Sequence, residues 1–211
     1  NYKELVNFSV PTGNFGDVYA GYLAKKMGLP INKLIVATNK NDILHRAISS
    51  GNYEAKKVFQ TLSPSMDIQV ASNFERLIYD LNDFSDTKTK KVMEEIRKTG
   101  KYKIPKDKIT KIKKDFLSAS LNEEEMKDVI RKISVSRKSK HISELNGNQI
   151  IVDPHTAIGI GAIIKIIDTN KDSGININAT ISLATAHAAK FPEAMRSAHR
   201  KVELPEELKY I

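Results

Sequence analysis

The chain has 211 residues, 40% hydrophobic and 28% charged, enough apolar material to bury a core in one large domain or a domain with an insertion. It contains no cysteine, which excludes a disulfide framework, a thiolate zinc site and a cysteine nucleophile, and no apolar run reaches the length of a membrane span. The formal charge of +9 is local: eighteen Lys/Arg against nine Asp/Glu fall between Asp86 and Lys140, and the rest of the chain is balanced.

The opening Asn1-Tyr-Lys-Glu-Leu5 lacks the apolar stretch of a signal peptide, and without an initiator Met it reads as a cut through a longer protein. Leu5 to Val10 is a short run with β-branched residues, ended by Pro11-Thr-Gly-Asn14, and reads as a strand. A helix is expected from about Asp17 to Met27, with Gly28 and Pro30 as stop signals. Lys33 to Thr38 reads as a buried strand and Asp42 to about Ser50 as a helix ending at Gly51. Strand and helix alternating at such short spacing predict a parallel βαβ unit.

From 83 to 145 the character changes to a Lys-rich, helical insertion. Ile109, Ile112, Phe116 and Leu117 are expected on one helix face. Ser120 to Glu123 has the form of a capping box, starting a helix that buries Met126, Val129, Ile130 and Ile133. Removing about Asp86 to Lys140 is therefore expected to leave the α/β part folded. After it, Gln149 to Val152 reads as a strand, Asp153 to Thr156 as a turn, Ala157 to Ile167 as an apolar helix, and Ala179 to Ala184 as a further buried strand. The resulting division is 1–82, 83–145 and 146–211.

Pro11-Thr-Gly-Asn-Phe-Gly-Asp17 lies between a strand and a helix start. Gly13 and Gly16 allow a tight turn and close approach of a ligand, and the free N–H groups at the helix start favour an anion. A phosphate suits such a loop; a glycine turn that merely packs a helix on a strand is the alternative. The loop lacks the spacing of a nucleotide P-loop or a dinucleotide fold, and Gly159-Ile-Gly161 reads as helix packing.

Residues 11 to 22 resemble the cofactor-phosphate loop of threonine synthases, the bacterial and fungal branch of a family that uses pyridoxal 5'-phosphate (PLP). Ala37 to Leu44, Thr61 to Ile68 with Ser72 to Arg76, Asp153 to Ala157, and Leu183 to His187 with Lys190 and Phe191 are similar to further blocks of that family. The resemblance covers nearly the whole chain apart from the Lys-rich middle. It implies the large-domain part of fold-type II PLP enzymes, an open, mostly parallel α/β sheet with flanking helices. It implies that Gly13, Asn14, Phe15, Gly16 and Asp17 hold the cofactor phosphate. Thr185 would set its hydroxyl near the pyridine nitrogen, the alternative being a turn hydroxyl at a strand end. Ser63, Ser65, Asn73 and Arg76 are candidates for the substrate phosphate, Arg76 being equally placed for a surface ion pair.

The implied reaction converts O-phosphohomoserine and water to threonine and phosphate. The family's Schiff-base lysine stands well before the phosphate loop, where this chain has only ten residues. Lys3 lies in the wrong context, and Lys113-Lys-Asp115 matches nothing. The resemblance therefore implies a carboxy-terminal part without a catalytic residue of its own, inactive alone and partnered by the amino-terminal part of the same enzyme. Two departures stand out: Ala188 where the family has Pro, and His45 where Thr is common.

His45, His141, His155, His187 and His199 form no metal-binding spacing, so no metal is expected. His155 and His187 could be turn residues or substrate contacts. Between Asp86 and Lys140, Tyr102 and Phe116 are the only aromatics, which argues against a base-stacking nucleic-acid module. A phosphate- or nucleic-acid-binding remnant without catalysis is the alternative function. The lack of cysteine fits a reducing cytoplasm, the expected compartment.

Overall fold

Strand β1 (Val6–Pro11) runs up the middle of the molecule, and its neighbours decide where everything else lies. The computed structural model describes residues 4–133, 151–169 and 179–202. On one side β1 pairs with β2 (Ile31–Thr38), which pairs with β5 (Phe116–Ser120); on the other side it pairs with β6 (Thr180–Ser182). All three pairings are parallel, giving the order β5-β2-β1-β6.

A parallel sheet is covered on both faces, and the side-chain period of two divides each strand between two cores. Leu34 and Val36 of β2 enter one core; Ile35 and Ala37 enter the other. The first core is closed by helices α1 (Gly16–Lys26), α2 (Ile43–Ser50), α3 (Phe74–Leu81), α4 (Asp86–Thr99) and α5 (Lys106–Asp115). The second is closed by α6 (Glu123–Ile133), α7 (Pro154–Thr169) and the short α8 (Pro192–Ser197). A two-stranded antiparallel ribbon, β3 (Asn52–Glu54) with β4 (Lys101–Lys103), flanks the first core.

The helix ends follow local chemistry. Asp17 in the first turn of α1 and Lys25 and Lys26 in its last turn complement the helix dipole. Gly51 stops α2 with φ 75°, a left-handed residue that a side chain would strain. Gly161 of α7 has a different reason: a Cβ there would lie 2.2 Å from Leu121 Cδ2, so the glycine lets α7 lie close to the sheet and α6. The Gly159-Ile-Gly161 pair is thus a packing device.

The Lys-rich stretch differs from a helical insertion. It crosses the edge of the sheet: α4 and α5 cover one face, β5 joins the sheet, and α6 covers the other face. Phe116 and Leu117 do not continue the helical face of Ile109 and Ile112. They are strand residues registered with Leu34 and Ile35, and they alternate between the two cores. A helix-period pattern that ends on Phe-Leu cannot be told from the start of a strand by spacing alone. The capping box also falls two residues later than expected. The Asn122 side chain accepts from the Glu125 N–H (2.9 Å), and the Glu125 carboxylate accepts from the Asn122 N–H (2.8 Å). Of the expected strand 149–152, Gln149 and Ile150 lie outside the described residues, and Ile151 and Val152 are irregular. Lys3 and His141 also lie outside them. No helix among the described residues is long and apolar enough to cross a membrane.

These placements reverse the expected outcome of removing 86–140. Without β5 both cores open at the β2 edge, so the deletion variant should lose its cooperative urea transition. Phe116, 1% exposed and packed against Phe15 and Tyr22, gives the finer test. Phe116→Ala should lower the unfolding free energy by about 3–5 kcal/mol in the same melts.

Candidate functional site

The chain leaves β1 at Pro11 and enters α1 at Gly16, at the point where the topology turns. The chain goes from β1 to β2 by way of α1 on one face. It reaches β6, on the opposite side of β1, after α7 on the other face. The crevice beyond the carboxyl ends of strands that diverge in this way is where open α/β sheets bind ligands.

Phe15 makes the loop. Its backbone is left-handed (φ 71°, ψ 9°), an uncommon state for a bulky residue and one that costs on the order of 1–3 kcal/mol. The ring holds it there: it is 1% exposed, edge-on to Phe74 at 5.3 Å and tilted against Phe116 at 6.0 Å. A left-handed residue just ahead of a helix start turns neighbouring N–H groups toward one point. The first N–H groups of α1 have no carbonyl partner within the helix, and no side chain caps them. They border a cavity of about 210 Å³ lined by Val10 to Val18 and Asn73. Asp17 is exposed, and its carboxylate would compete with an anion; what it offers is its main-chain N–H.

A second segment forms the wall behind Gly13. A Cβ on Gly13 would sit 2.6 Å from the carbonyl oxygen of Ser65, so the loop touches the turn Pro64–Met66 backbone to backbone. That turn is tied to the end of β2. Asp67 Oδ1 lies 2.7 Å from Asn39 Nδ2, 3.0 Å from Asn41 Nδ2 and 2.6 Å from the Thr61 hydroxyl, while Oδ2 accepts from the Thr61 N–H at 2.8 Å.

A third segment, the start of α7, joins this wall to β6. Asp153 caps the helix: its Oδ1 accepts from the N–H groups of His155 (2.9 Å) and Thr156 (3.4 Å). The same oxygen lies 2.9 Å from His155 Nδ1, and Oδ2 takes the Thr156 hydroxyl. His155 Nε2 in turn accepts from the Ser65 N–H (3.3 Å), and Thr156 Oγ1 accepts from the Thr185 N–H (3.3 Å). Asp153, His155 and Thr156 are all buried. Burial alone would raise the Asp153 pKa, but hydrogen bonds from His155 and Thr156 outweigh it and hold the carboxyl below its ordinary value.

The expected residues therefore fall into three groups. Gly13, Asn14, Phe15, Gly16, Asp17 and Asn73 line one cavity. Ser65 touches Gly13 from behind, and Thr185 stands exposed just beyond β6; neither lines the cavity. Arg76 is exposed and lines a separate groove of about 610 Å³ between α3 and α4, with Asn73 as the shared wall. Asn14 faces α3: its carbonyl accepts from the Asn73 N–H at 3.0 Å, and its side-chain oxygen lies 3.5 Å from the Ser72 nitrogen. Ser63 is buried, 3.0 Å from Asn39 Nδ2. His45 lies apart from the loop, 3.0 Å from the Ser118 hydroxyl, and burial pushes its pKa down. The linking role of Asp153 is not visible in the sequence, although Asp-Pro ahead of an apolar helix is the pattern of a capped start.

Comparison with known proteins bears on the same residues. A family model described as the carboxy-terminal region of threonine synthase matches residues 156–211. Threonine synthase of Saccharomyces cerevisiae is 44% identical over 225 residues, covering 98% of this chain and 42% of the relative. The Pseudomonas aeruginosa threonine synthase is 40% identical over 193 residues, covering 92% and 38%. The crystal structure of a PLP-bound threonine synthase from Brucella melitensis superimposes with a TM-score of 0.82 at 38% identity, over 98% of this chain and 41% of that one. The chain thus spans about two fifths of the length of these relatives.

Gly13→Ala should displace the Ser65 turn and cost about 1–3 kcal/mol in urea melts, whereas a mere flexible turn would tolerate it. The depressed Asp153 pKa gives a signed pH effect. Its stabilisation is complete above the unfolded-state value of about 3.9 and is lost as pH falls through the lower folded value. Asp153→Asn should therefore be less stable than the wild type at neutral pH, and the gap should narrow below about pH 4. Thermal melts across that range read this directly.

Proposed function

The chain belongs to the threonine synthase family as its carboxy-terminal part, and from that premise we propose that it supplies the phosphate half of a PLP site in a carbon–oxygen lyase. The proposed reaction takes O-phospho-L-homoserine and water to L-threonine and phosphate. The observation that carries the reading is the uncapped start of α1 beside two glycines, at the strand end where the sheet topology turns.

The residues present fit the cofactor. Main-chain N–H groups of Gly13 to Asp17 would receive its phosphate, in a cradle that side chains at Gly13 or Gly16 would crowd against Ser65 and Asn73. The Thr185 hydroxyl, held at its backbone by Thr156, would meet the ring nitrogen. A neutral hydroxyl leaves that nitrogen less protonated than a carboxylate would. When bound, PLP supplies an electron sink; the protein positions it and fixes its protons. Asn73, between the cavity and the groove holding Arg76, would lie toward the substrate's phosphate, with Arg76 offering its bidentate fork and Ser65 bracing Gly13 from behind.

No lysine lines the loop cavity among the described residues. We assign the catalytic lysine to the amino-terminal part of the enzyme, which would bring it to the cofactor. This chain by itself would bind PLP weakly and produce no threonine, because the lysine's effective molarity is missing, a factor equivalent to roughly 7–11 kcal/mol in well-oriented systems.

Titration with inorganic phosphate and with PLP should shift the amides of Gly13 to Asp17, and Gly13→Val should abolish the shifts. Borohydride treatment with PLP followed by peptide mapping should find no single lysine modified. Shifts clustered in the Lys-rich helices would transfer the site there. One reduced lysine together with phosphate release from O-phosphohomoserine would show that the chain carries its own catalytic residue.

A further inference from the structure

One buried carboxylate reaches both ends of the proposed cofactor site. The Ser65 N–H can only donate, so the His155 Nε2 facing it at 3.3 Å must carry a lone pair. The ring proton of neutral His155 therefore sits on Nδ1, and Asp153 Oδ1, at 2.9 Å, accepts it. The second carboxylate oxygen takes the Thr156 hydroxyl proton, which leaves Thr156 Oγ1 free to accept from the Thr185 N–H at 3.3 Å. The proton directions in the network follow from the donor-only Ser65 N–H at one end and the acceptor-only Asp153 carboxylate at its centre.

We propose that Asp153, through His155 and Thr156, is a positioning residue that couples the wall of the phosphate cradle to the segment facing the cofactor ring. The inference rests on the PLP reading above. The His155 arm sets the Ser65 turn, whose carbonyl packs against Gly13 closely enough that a Cβ there would come within 2.6 Å. The Phe191 ring, 4.8 Å from His155 between centroids, holds the imidazole plane. The Thr156 arm sets the backbone at Thr185. A shift at either end is transmitted through groups that are each 4% exposed or less and have little room to move independently.

The test uses the whole chain with ¹⁵N-labelled histidine. Long-range proton–nitrogen spectra at neutral pH should show His155 as the Nδ1–H tautomer. His155→Phe keeps the ring volume but removes the acceptor. It should speed hydrogen exchange at Ser65 and weaken inorganic phosphate binding at Gly13 to Asp17 by about tenfold, the equivalent of the one hydrogen bond lost from the cradle wall. Thr156→Val should speed exchange at Thr185 and weaken PLP without weakening inorganic phosphate. Asp153→Leu should produce both effects together. If that variant does not fold, the wild-type tautomer and the two single-arm variants decide the matter. An Nε2–H tautomer in the wild type overturns the inference, as does wild-type exchange at Ser65 in His155→Phe or at Thr185 in Thr156→Val. Failure of the wild type to bind phosphate or PLP would instead defeat the cofactor reading, and the tautomer and exchange results would still report on the network.

Discussion

The Asp153 carboxylate is the constraint on which the site depends. It is 1% exposed, and its two oxygens cap α7, orient His155 and take the Thr156 hydroxyl. A buried charge is tolerated only when its lone pairs are filled, and here the filling groups are the ones that reach outward to Ser65 and Thr185. The residues that solvate the carboxylate are thus the residues that align three distant segments of chain.

The loop after β1 works by the complementary principle. Its polar groups are left unpaired within the helix, and the cost of their geometry falls on an apolar anchor. Phe15 sits in a left-handed conformation that its backbone alone would avoid, held by Phe74 and Phe116. Phe116 comes from β5, in the middle of the Lys-rich stretch, so the sheet edge and the loop share one aromatic contact. The lysines around it serve packing as well as solvation. Lys33 Nζ reaches the carbonyls of Lys113 and Lys114 at the end of α5, and Lys103 Nζ reaches that of Ser50 at the end of α2. Cations at helix carboxyl ends satisfy carbonyls that the helix leaves without partners.

The first βαβ unit was legible in the sequence because its signals are local. Apolar runs mark β1 and β2, Gly28 and Gly51 end the helices, and the glycines of the loop announce a close approach. Blocks of family resemblance carried the site assignment further, to Thr185 and Asn73. The middle was not legible in the same way. The register of Phe116 with Leu34 is a contact between residues far apart in the chain, and nothing in the spacing of Ile109, Ile112 and Phe116 distinguishes a helix that continues from one that stops at Asp115.

By itself, then, the sequence determined the class of fold, the place of the glycine loop between β1 and α1 and the family, since each depends on residues adjacent in the chain or on motifs preserved as blocks. The tertiary structure alone decided that the Lys-rich stretch belongs to the sheet, that Arg76 opens on a groove apart from the loop, and that Asp153 joins Ser65 to Thr185. Hydrogen bonds and strand register are set by which segments come together in space. A side chain such as that of Asp153 reads in the sequence only as a helix cap, because its other partners are brought to it by the packing of α7 on the sheet.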